Sequence, residues 1–398
     1  MKTIKLYTLG CKVNQYDTQS IRERFLSRGF KELKEGLPAD YCLINTCTVT
    51  SIADRKSKER ILRCIRENPK AKLIVTGCLV ENNPHALAKI KGIRLIVGKN
   101  FFSEGISDFA RHTRAFLKIQ DGCNNFCSYC KVPLVRGASR SRKLDGIVRE
   151  AQALAEKGFK EIVLTGICLG AYGKDLRPKL NLVQVIEALE KIEGIIRIRL
   201  SSIEATDVTD ELIKKMAESK KLCRHLHIPM QSGDDGILKK MNRKYIHRDY
   251  VKLIKKIKTA VPQIGITTDI LVGFPGESKT AFENSIKLIK EVTPLRTHVF
   301  PYSSREGTRA VCLENKLNRK ELEERLKEIR EVARVCAERF RKSFIGKRMK
   351  VLIEARAKDN PEYWEGYSDN YLKVVVKSKL NLKNKLVKAK IGKLGDTS

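Results

Sequence analysis

Short apolar runs alternate with longer amphipathic stretches along residues 1–112. The runs predict strands and the polar stretches between them predict helices. The predicted strands are residues 4–9, 42–46, 73–76 and 95–97, and the clearest helices are residues 17–27 and 53–67. Because strands that alternate with helices form parallel sheets covered by helices, this part of the chain is predicted to be a Rossmann-like α/β domain.

The same alternation continues with more units through residues 113–343. Six strands are predicted here, at residues 115–119, 161–165, 196–200, 225–228, 265–271 and 298–300. Helical patterns lie between most of them, and a long charged helix over residues 319–344 leads out of the domain. Such a series predicts a partial (β/α)6 barrel of the TIM type, with its active site at the carboxyl ends of the strands.

The pattern changes again over residues 344–398. Residues 349–354 and 372–376 read as strands, and glycines such as Gly346 and Gly366 mark turns between them. Period-two strands separated by turns predict a small antiparallel β-barrel. The chain is therefore expected to be α/β overall, with three domains: 1–112, 113–343 and 344–398.

The charge of the chain indicates the kind of partner. Lysine and arginine number 80 against 46 aspartates and glutamates in 398 residues, a formal net charge of +34. This excess predicts a polyanionic partner, RNA above all, because no membrane-surface helix stands out. Adaptation to heat is the alternative, but thermophilic ion pairing would raise both signs together. No stretch resembles a signal peptide or approaches the ~18 apolar residues of a spanning helix, which predicts a cytoplasmic protein without a membrane partner.

Three cysteines in one short segment, Cys123, Cys127 and Cys130, suggest an iron–sulfur cluster. A four-iron cluster takes four ligands, so three thiolates leave one iron open, as in a catalytic site. The alternative is a structural zinc knuckle. Zinc would need a fourth ligand, and the nearest histidine, His112, lies eleven positions before Cys123.

A second set of cysteines follows the predicted strands of the first domain. Cys11, Cys47 and Cys78 each come directly after one of these strands. The carboxyl ends of parallel strands meet at one edge of a sheet, so the three thiols are predicted to converge on a second cluster. The alternative is three unrelated buried cysteines, since cysteine is often a core residue.

These motifs resemble those of the radical S-adenosylmethionine (SAM) methylthiotransferases. The resemblance covers essentially the whole chain. It is carried by C-N-N-F-C-S-Y-C at 123–130, T-L-G-C-K-V-N at 8–14, H-I-P-M-Q-S-G at 227–233, D-I-L-V-G-F-P-G-E at 269–277 and F-P-Y-S-S-R-E-G-T at 300–308. It implies a methylthiotransferase domain, a radical SAM barrel and a C-terminal TRAM module that binds RNA.

The resemblance also implies two 4Fe–4S clusters and SAM as cofactors. Cys123, Cys127 and Cys130 would hold the cluster whose open iron is chelated by SAM, and one electron would cleave SAM to a deoxyadenosyl radical. The second cluster, held by the other three cysteines, would be where sulfur is held and methylated before transfer. The implied ligands and catalytic residues are Cys11, Cys47, Cys78, Cys123, Cys127 and Cys130.

Further residues are expected around SAM by the same resemblance. Tyr129 would flank the adenine, although it can equally pack under the cluster loop. The other expected SAM contacts are Thr165, Gly166, Ser202, Glu204, Gln231, Ser232, Gly273, Phe274 and Pro275. Relatives often carry asparagine or histidine at position 168, and this chain has Cys168, which is assigned no role.

The implied substrate is N6-threonylcarbamoyladenosine in the anticodon stem-loop of tRNA, because G-C-K-V-N-Q-Y at 10–16 looks like that subgroup. Isopentenyladenosine enzymes more often have glutamine and methionine after the first cysteine, and a third subgroup modifies an aspartate of a ribosomal protein. An electron-donor protein and a sulfur source would be further partners. A non-catalytic RNA-binding metalloprotein is the alternative from another class.

RNA contacts are expected around the barrel mouth and in the C-terminal module. The basic candidates are Arg136, Arg140 and Arg142. The aromatic candidates, which would either stack on bases or fill the core of the module, are Tyr363, Trp364, Tyr367 and Tyr371.

Overall fold

A computed structural model describes residues 1–98, 105–110, 112–314 and 317–392. The last six residues of the predicted C-terminal domain therefore lie outside the described residues. Within the described part, no helix has the length and apolar character needed to cross a membrane.

The first domain is a five-stranded parallel sheet with the strand order β2-β1-β3-β4-β5. Its elements are β1 (Thr3–Thr8), α1 (Lys12–Leu26), β2 (Lys31–Glu32), β3 (Tyr41–Thr46), α2 (Ser51–Glu67), β4 (Lys72–Gly77), α3 (Cys78–Asn82), α4 (Pro84–Ala88) and β5 (Ile93–Ile96). All the neighbouring strands are parallel, which confirms the predicted α/β class. The order of the strands reverses between β1 and β3, and ligands of open α/β sheets bind at such a switch point.

Helix α1 starts five residues earlier than its sequence pattern predicts. It buries the polar side chains of Asn14, Thr18, Gln19 and Ser20 together with apolar ones. Buried polar positions hide the 3.6-residue hydrophobic period on which the prediction depended. This helix lies between the first sheet and the barrel, so both of its faces are covered.

The second domain contains six parallel strands arranged in chain order. The elements are β6 (Arg114–Lys118), β7 (Gln120–Asp121), α5 (Val132–Arg136), β8 (Arg140–Ser141), α6 (Leu144–Glu156), β9 (Glu161–Thr165), α7 (Leu182–Glu190), β10 (Arg197–Leu200), α8 (Asp210–Glu218), β11 (His225–His227), α9 (Asp235–Lys240), α10 (His247–Ala260), β12 (Gly265–Val272), α11 (Lys279–Val292) and β13 (Arg296–Pro301). Two three-stranded sheets, β6-β9-β10 and β11-β12-β13, are joined by a bridge between Ser202 and His227. The predicted partial barrel is thereby confirmed.

The two faces of the barrel strands differ in polarity. Residues such as Ile162, Ile198 and Ile266 point outward into the main hydrophobic core under the helices. The alternate residues, including Glu161 and Arg199, face the inside of the barrel and are buried there. The interior is therefore a polar chamber, unlike the layers of branched apolar side chains that fill most TIM barrels.

The third domain is an antiparallel sheet with the order β16-β15-β14-β17. It follows α12 (Arg319–Lys342) and consists of β14 (Arg348–Arg356), β15 (Tyr363–Ser368), β16 (Lys373–Lys377) and β17 (Leu386–Lys390). Val351, Ile353, Trp364 and Val374 form its core. The predicted small β-module thus takes the form of a curled half-barrel.

This half-barrel closes the amino-terminal end of the six-stranded barrel through buried arginines. Arg197 donates hydrogen bonds to the backbone oxygens of Tyr367 (2.8 Å) and Lys350 (2.6 Å). Arg199 donates to the backbone oxygens of Ser368 and Asp369 and pairs with Glu161 at 2.7 Å. Glu161 is completely buried and also lies 3.7 Å from Arg114, so one carboxylate is shared by several buried arginines.

We predict that Glu161→Ala destabilises the protein by about 3–5 kcal/mol, because it leaves buried arginine charges without a partner. The midpoint of urea unfolding measures the change, followed by circular dichroism and by the fluorescence of Trp364, the single tryptophan of the chain. Glu193→Ala, at an exposed position, is the control and should leave the midpoint unchanged. Equal midpoints for the two variants would contradict the prediction.

Candidate active site

Cys11, Cys47 and Cys78 meet at the carboxyl edge of the first sheet. Thr46 and Gly77 are paired in register, so Cys47 and Cys78 leave neighbouring strands at the same level. Cys47 and Cys78 are buried, and burial raises the pKa of Cys78 to about 11. Cys11 is exposed, which argues against three unrelated core cysteines.

A glycine and an asparagine bring these loops together. Gly10 has a φ of +105°, and a Cβ atom there would lie 3.1 Å from the sulfur of Cys47. Any side chain at this position would therefore crowd the thiols. The Asn14 amide donates hydrogen bonds to the backbone oxygens of Leu9 (2.7 Å) and Thr46 (2.9 Å), which holds the ends of β1 and β3 together.

The second triad lies on the loop between β7 and α5. Gly122 has a φ of +74°, and a Cβ there would lie 2.0 Å from the backbone oxygen of Ala138. The loop is thus pinned against the segment that follows α5, and the Cys123 amide donates to Gly137 at 3.0 Å. Arg243 lies 3.3 Å from the Cys127 sulfur, where its positive charge favours a thiolate.

The pKa values of the triad differ because their surroundings differ. Burial raises the pKa of Cys130 to about 12. A hydrogen bond from Cys168 lowers the pKa of Cys123 to about 7. The Cys168 thiol also lies 3.5 Å from Asp207 and 3.7 Å from the Asn125 amide. Cys168 is therefore a direct neighbour of the triad.

Several contacts hold the two triads at one crevice. Helix α3, which starts at Cys78, packs on α5. Arg136 of α5 is buried, pairs with both oxygens of Asp121 at 3.0 Å and donates to the Asn14 side chain. On the other side, Arg305 donates to Thr48 next to Cys47, with its backbone oxygen at 3.0 Å. The carboxyl edge of the first sheet therefore faces the barrel mouth.

The spacing of the sulfurs distinguishes a cluster from a single ion. In the described part of the chain, neither triad brings all three sulfurs within 4.8 Å of one another. A single tetrahedral zinc with Zn–S bonds of ~2.3 Å would require sulfurs about 3.8 Å apart. The arrangement fits a multi-iron cluster better than a zinc knuckle.

The predicted SAM contacts lie around the mouth of the barrel in three groups. Tyr129 is half-buried and meets Phe274 edge to face, with ring centroids 6.4 Å apart. Phe274 and Pro275 are buried, and Gly273 has a φ of +77° that permits the sharp turn after β12. Packing under the cluster loop is thus shown for Tyr129, and its contact with adenine stays a prediction.

Thr165 and Gly166 form the second group, at the end of β9. A Cβ at Gly166 would lie 2.9 Å from the side-chain oxygen of Gln120. That oxygen accepts hydrogen bonds from the amides of Ile167 and Cys168, and the Gln120 nitrogen donates to the backbone of Gly122. Gln120 therefore couples the β9 loop to the cluster loop.

The third group follows β10 and β11. Glu204 forms a bidentate ion pair with Arg243, so it supports the cluster loop. Gln231 has a φ of +62° and bridges to Ile270. Ser232 is buried and lies 3.4 Å from the Ser285 hydroxyl on α11, and its side chain points away from the mouth. Ser202 forms the bridge to His227.

Two family profiles match the chain. The Radical SAM superfamily matches residues 117–289, and Uncharacterized protein family UPF0004 matches residues 3–98. A threonylcarbamoyladenosine tRNA methylthiotransferase MtaB of Bacillus subtilis is 38% identical over 99% of this chain and 95% of its own length. The chain belongs to the radical SAM methylthiotransferase family.

Two other relatives agree with this assignment, and one solved structure shares the fold. The MtaB of Thermotoga maritima is 36% identical over 94% of the chain and 91% of its own length. The tRNA-2-methylthio-N(6)-dimethylallyladenosine synthase of Clostridium tetani is 35% identical over 92% and 88%. The methyltransferase TsrM of Kitasatospora setae, solved with cobalamin and a [4Fe-4S] cluster, has a TM-score of 0.57 at 14% identity, covers 78% of this chain and 77% of its own, and shows the same fold.

Methylthiotransferases of this family use SAM and two 4Fe–4S clusters. The residues of this chain fit both groups. Each triad supplies three thiols, and the guanidinium groups of Arg136 and Arg243 compensate the negative charge of thiolates.

Several basic and polar residues near the site were either not predicted from the sequence or predicted with another role. Arg243 and Gln120 support the cluster loop, but nothing in the local pattern distinguishes them from the other polar residues. The expectation that Arg136 binds RNA is wrong, since Arg136 is buried against Asp121. Arg142 is half-buried and pairs with Glu150 at 2.5 Å, and its contact with RNA stays a prediction. Arg140 is exposed.

The aromatic residues of the C-terminal module lie mainly inside the structure. Trp364 is buried in the core of the half-barrel. Tyr367 and Tyr371 stack on each other with centroids 5.0 Å apart, and Arg114 lies over both rings. These contacts support the core interpretation over base stacking.

We predict that Cys123 is the most readily alkylated thiol of the second triad in iron-free protein. Its lowered pKa means that the reactive thiolate accumulates as pH rises through about 7, whereas Cys130, with a pKa of about 12, stays protonated. Iodoacetamide labelling against pH, read by peptide mass spectrometry, measures this. Cys168→Ala should move the half-point for Cys123 up toward the ordinary ~8.5, and an unmoved half-point would contradict the assigned hydrogen bond.

Proposed function

We propose that this protein converts N6-threonylcarbamoyladenosine beside the tRNA anticodon into its 2-methylthio derivative. The observation that carries the proposal is the convergence of two cysteine triads, from separate domains, on one crevice. The MtaB relatives at 36–38% identity and the segment from Gly10 to Tyr16 support the threonylcarbamoyl substrate.

Six cysteines form the metal-binding set of this proposal. Cys123, Cys127 and Cys130 hold the cluster that binds SAM, and Cys11, Cys47 and Cys78 hold the second one. When bound, SAM and the clusters supply radical chemistry at an unactivated C–H bond together with the sulfur and methyl group to be transferred. The proposed SAM contacts are Tyr129, Thr165, Gly166, Ser202, Gln231, Gly273, Phe274 and Pro275, with Glu204 acting through Arg243 and Ser232 through its backbone.

The remaining residues hold this geometry. Arg136 and Arg305 fix the first domain against the barrel from two sides, so that a base in the crevice reaches both triads without domain movement. Because Arg136 is buried between Asp121 and Asn14, its hydrogen bonds hold the two domains in one relative orientation. A displacement of about 1 Å between reacting groups costs large factors in rate, which is why such fixed contacts matter.

The proposal includes three domains and their partners. Residues 1–112 carry the sulfur-inserting site, 113–343 the SAM site and 344–398 the RNA-binding TRAM module. The partners are the anticodon stem-loop of tRNA, an electron-donor protein and a sulfur source, and we infer that the reaction takes place in the cytoplasm.

The second candidate substrate is the dimethylallyl (isopentenyl) adenosine of tRNA. It is favoured by a relative from Clostridium tetani that is 35% identical to this chain and is named for that reaction. Modification of a ribosomal-protein aspartate fits the net charge of +34 less well than RNA does. A non-catalytic RNA-binding metalloprotein would form no 5′-deoxyadenosine from SAM and reductant. An assay for 5′-deoxyadenosine therefore distinguishes it from all the enzymatic alternatives.

We predict that Cys47→Ala abolishes 2-methylthio-threonylcarbamoyladenosine in tRNA and lowers the iron content from about eight to about four per chain. Cys42→Ala, a buried cysteine of the same strand β3, is the matched control and should retain both. Mass spectrometry of tRNA nucleosides from cells with and without each variant measures the product. Full modification by Cys47→Ala would contradict the second-cluster assignment, and isopentenyl product alone would favour the second candidate.

Exposed lysines on the outer half-barrel are the proposed RNA surface. They are Lys377, Lys379, Lys383, Lys385, Lys388 and Lys390, around β16 and β17.

We predict that replacing Lys383, Lys385, Lys388 and Lys390 together by glutamine weakens tRNA binding and flattens its salt dependence. Each lost phosphate contact should reduce the slope of log K against log salt by roughly 0.7–0.9. Filter binding across a salt series measures the slope. The control replaces Lys214, Lys220, Lys252 and Lys256, exposed residues on or beside α8 and α10, and should leave it unchanged. Equal slopes for both variants would show that this surface is not the main RNA-binding surface.

A further inference from the structure

The barrel chamber contains a row of polar side chains that the cysteine sites do not use. In register, His227 is the neighbour of Thr267, and Asp269 is the neighbour of His298, so these side chains share the inner face of β11, β12 and β13. His227 accepts or donates at 2.9 Å with the Thr267 hydroxyl and lies 3.1 Å from Asp269. The rings of His227 and His298 are 5.9 Å apart.

The amino-terminal end of this chamber is closed by the C-terminal half-barrel. The Tyr371 ring lies against His225 with a centroid distance of 4.5 Å, and Arg199 lies 4.7 Å from the Tyr371 centroid. Arg199 is neutralised by Glu161, so the floor carries its own counter-charge. A ligand therefore enters the chamber from the edge where the cysteine triads lie.

One cation reaches this chamber from the first domain without a counter-ion. Lys12 is the first residue of α1 and follows Cys11 directly. Lys12 is half-buried, and its charge acts on Tyr371, His225 and His298, so its ammonium group lies near these residues of the chamber. Among the described residues, Lys12 has neither a hydrogen bond nor an ion pair.

The proposed substrate supplies an anion at the matching place. The threonylcarbamoyl group ends in a carboxylate, whereas the isopentenyl group is an uncharged hydrocarbon. Its attachment atom N6 is bonded to C6, and C6 and the reacting C2 lie on either side of N1 in the six-membered ring of adenine. A base whose C2 lies at the sulfur-bearing triad therefore presents its N6 substituent close to the residue next to Cys11.

We propose that Lys12 and His298 bind the carboxylate of the threonylcarbamoyl group, so that the chamber selects a carboxylate-bearing adenosine over an isopentenyl one. The proposal rests on the proposed function and names residues that determine its specificity. Lysine binds a carboxylate as a compact point charge, and a partly enclosed site strengthens that attraction. Asp269 pairs with His227 at 3.1 Å, and its carboxylate also lies within 4.8 Å of a ring nitrogen of His298.

A divalent cation is the competing occupant of the same residues. The ligand atoms of His227, Asp269 and His298 lie within 4.8 Å of one another. The free ammonium of Lys12 acts on His298 and opposes a cation there. Around His298 the cations Arg296 and Lys12 outnumber the single carboxylate of Asp269, so the charge there opposes a metal ion and favours an anion.

The test uses the reconstituted holoenzyme and two synthetic anticodon stem-loops. One carries threonylcarbamoyladenosine, and the other carries its threonine carboxamide, which has the same shape without the negative charge. We expect the wild type to bind the acid about tenfold more tightly, the size of one charge-assisted hydrogen bond. Lys12→Met should remove this preference, Lys12→Arg should keep most of it, and His298→Gln should reduce it.

Lys34→Met, an exposed lysine after β2, is the control and should bind like the wild type. Iron content and 5′-deoxyadenosine formation without RNA show whether each variant is intact. If Lys12→Met fails to assemble, the test still rests on Lys12→Arg and His298→Gln. An unchanged preference in Lys12→Met overturns the inference. An additional divalent metal per chain that is lost in His298→Gln also overturns it.

The two proposals fail in different ways. If the wild type methylthiolates the threonylcarbamoyl stem-loop but its preference is independent of Lys12 and His298, only the carboxylate site is wrong. If the wild type acts on an isopentenyl stem-loop alone, the proposed function is wrong and the carboxylate site falls with it.

Discussion

The chemistry of this protein depends on how firmly the first domain is held against the barrel. The central contact is Arg136, which is buried between Asp121 of the barrel and Asn14 of the first domain. The same Asn14 joins the loops that carry Cys11 and Cys47. A buried guanidinium without partners is costly, so the domains are held where its hydrogen bonds are complete. One arginine thereby links the two triads.

A polar barrel interior is the second constraint. Most barrels of this type fill their interior with branched apolar side chains, whereas here arginine, glutamate and histidine line it. Such groups require complete pairing, and the C-terminal half-barrel provides part of it by offering backbone oxygens to Arg197 and Arg199. The third domain is therefore a structural component of the chamber as well as the proposed RNA-binding domain.

The strands and outer helices were predictable because each has a local period of apolar residues. Strand β9 has the bounds that its pattern predicts, at Glu161–Thr165, and helix α2 ends at Glu67 as predicted. Helix α1 was predicted too short because it buries polar residues on two sides. The curl of the C-terminal sheet depends on strand pairing, which a single sequence does not specify.

The sequence by itself determined the number and spacing of the thiols and their positions after strands, because strand ends are set by local patterns. The family resemblance added their expected roles. Only the tertiary structure decided that Arg136 is buried, that Glu204 pairs with Arg243 and that Lys12 is half-buried beside Cys11. Glu204 and Arg243 are 39 residues apart, and Arg136 and Asn14 are 122 residues apart, and local periodicity carries no information about such contacts.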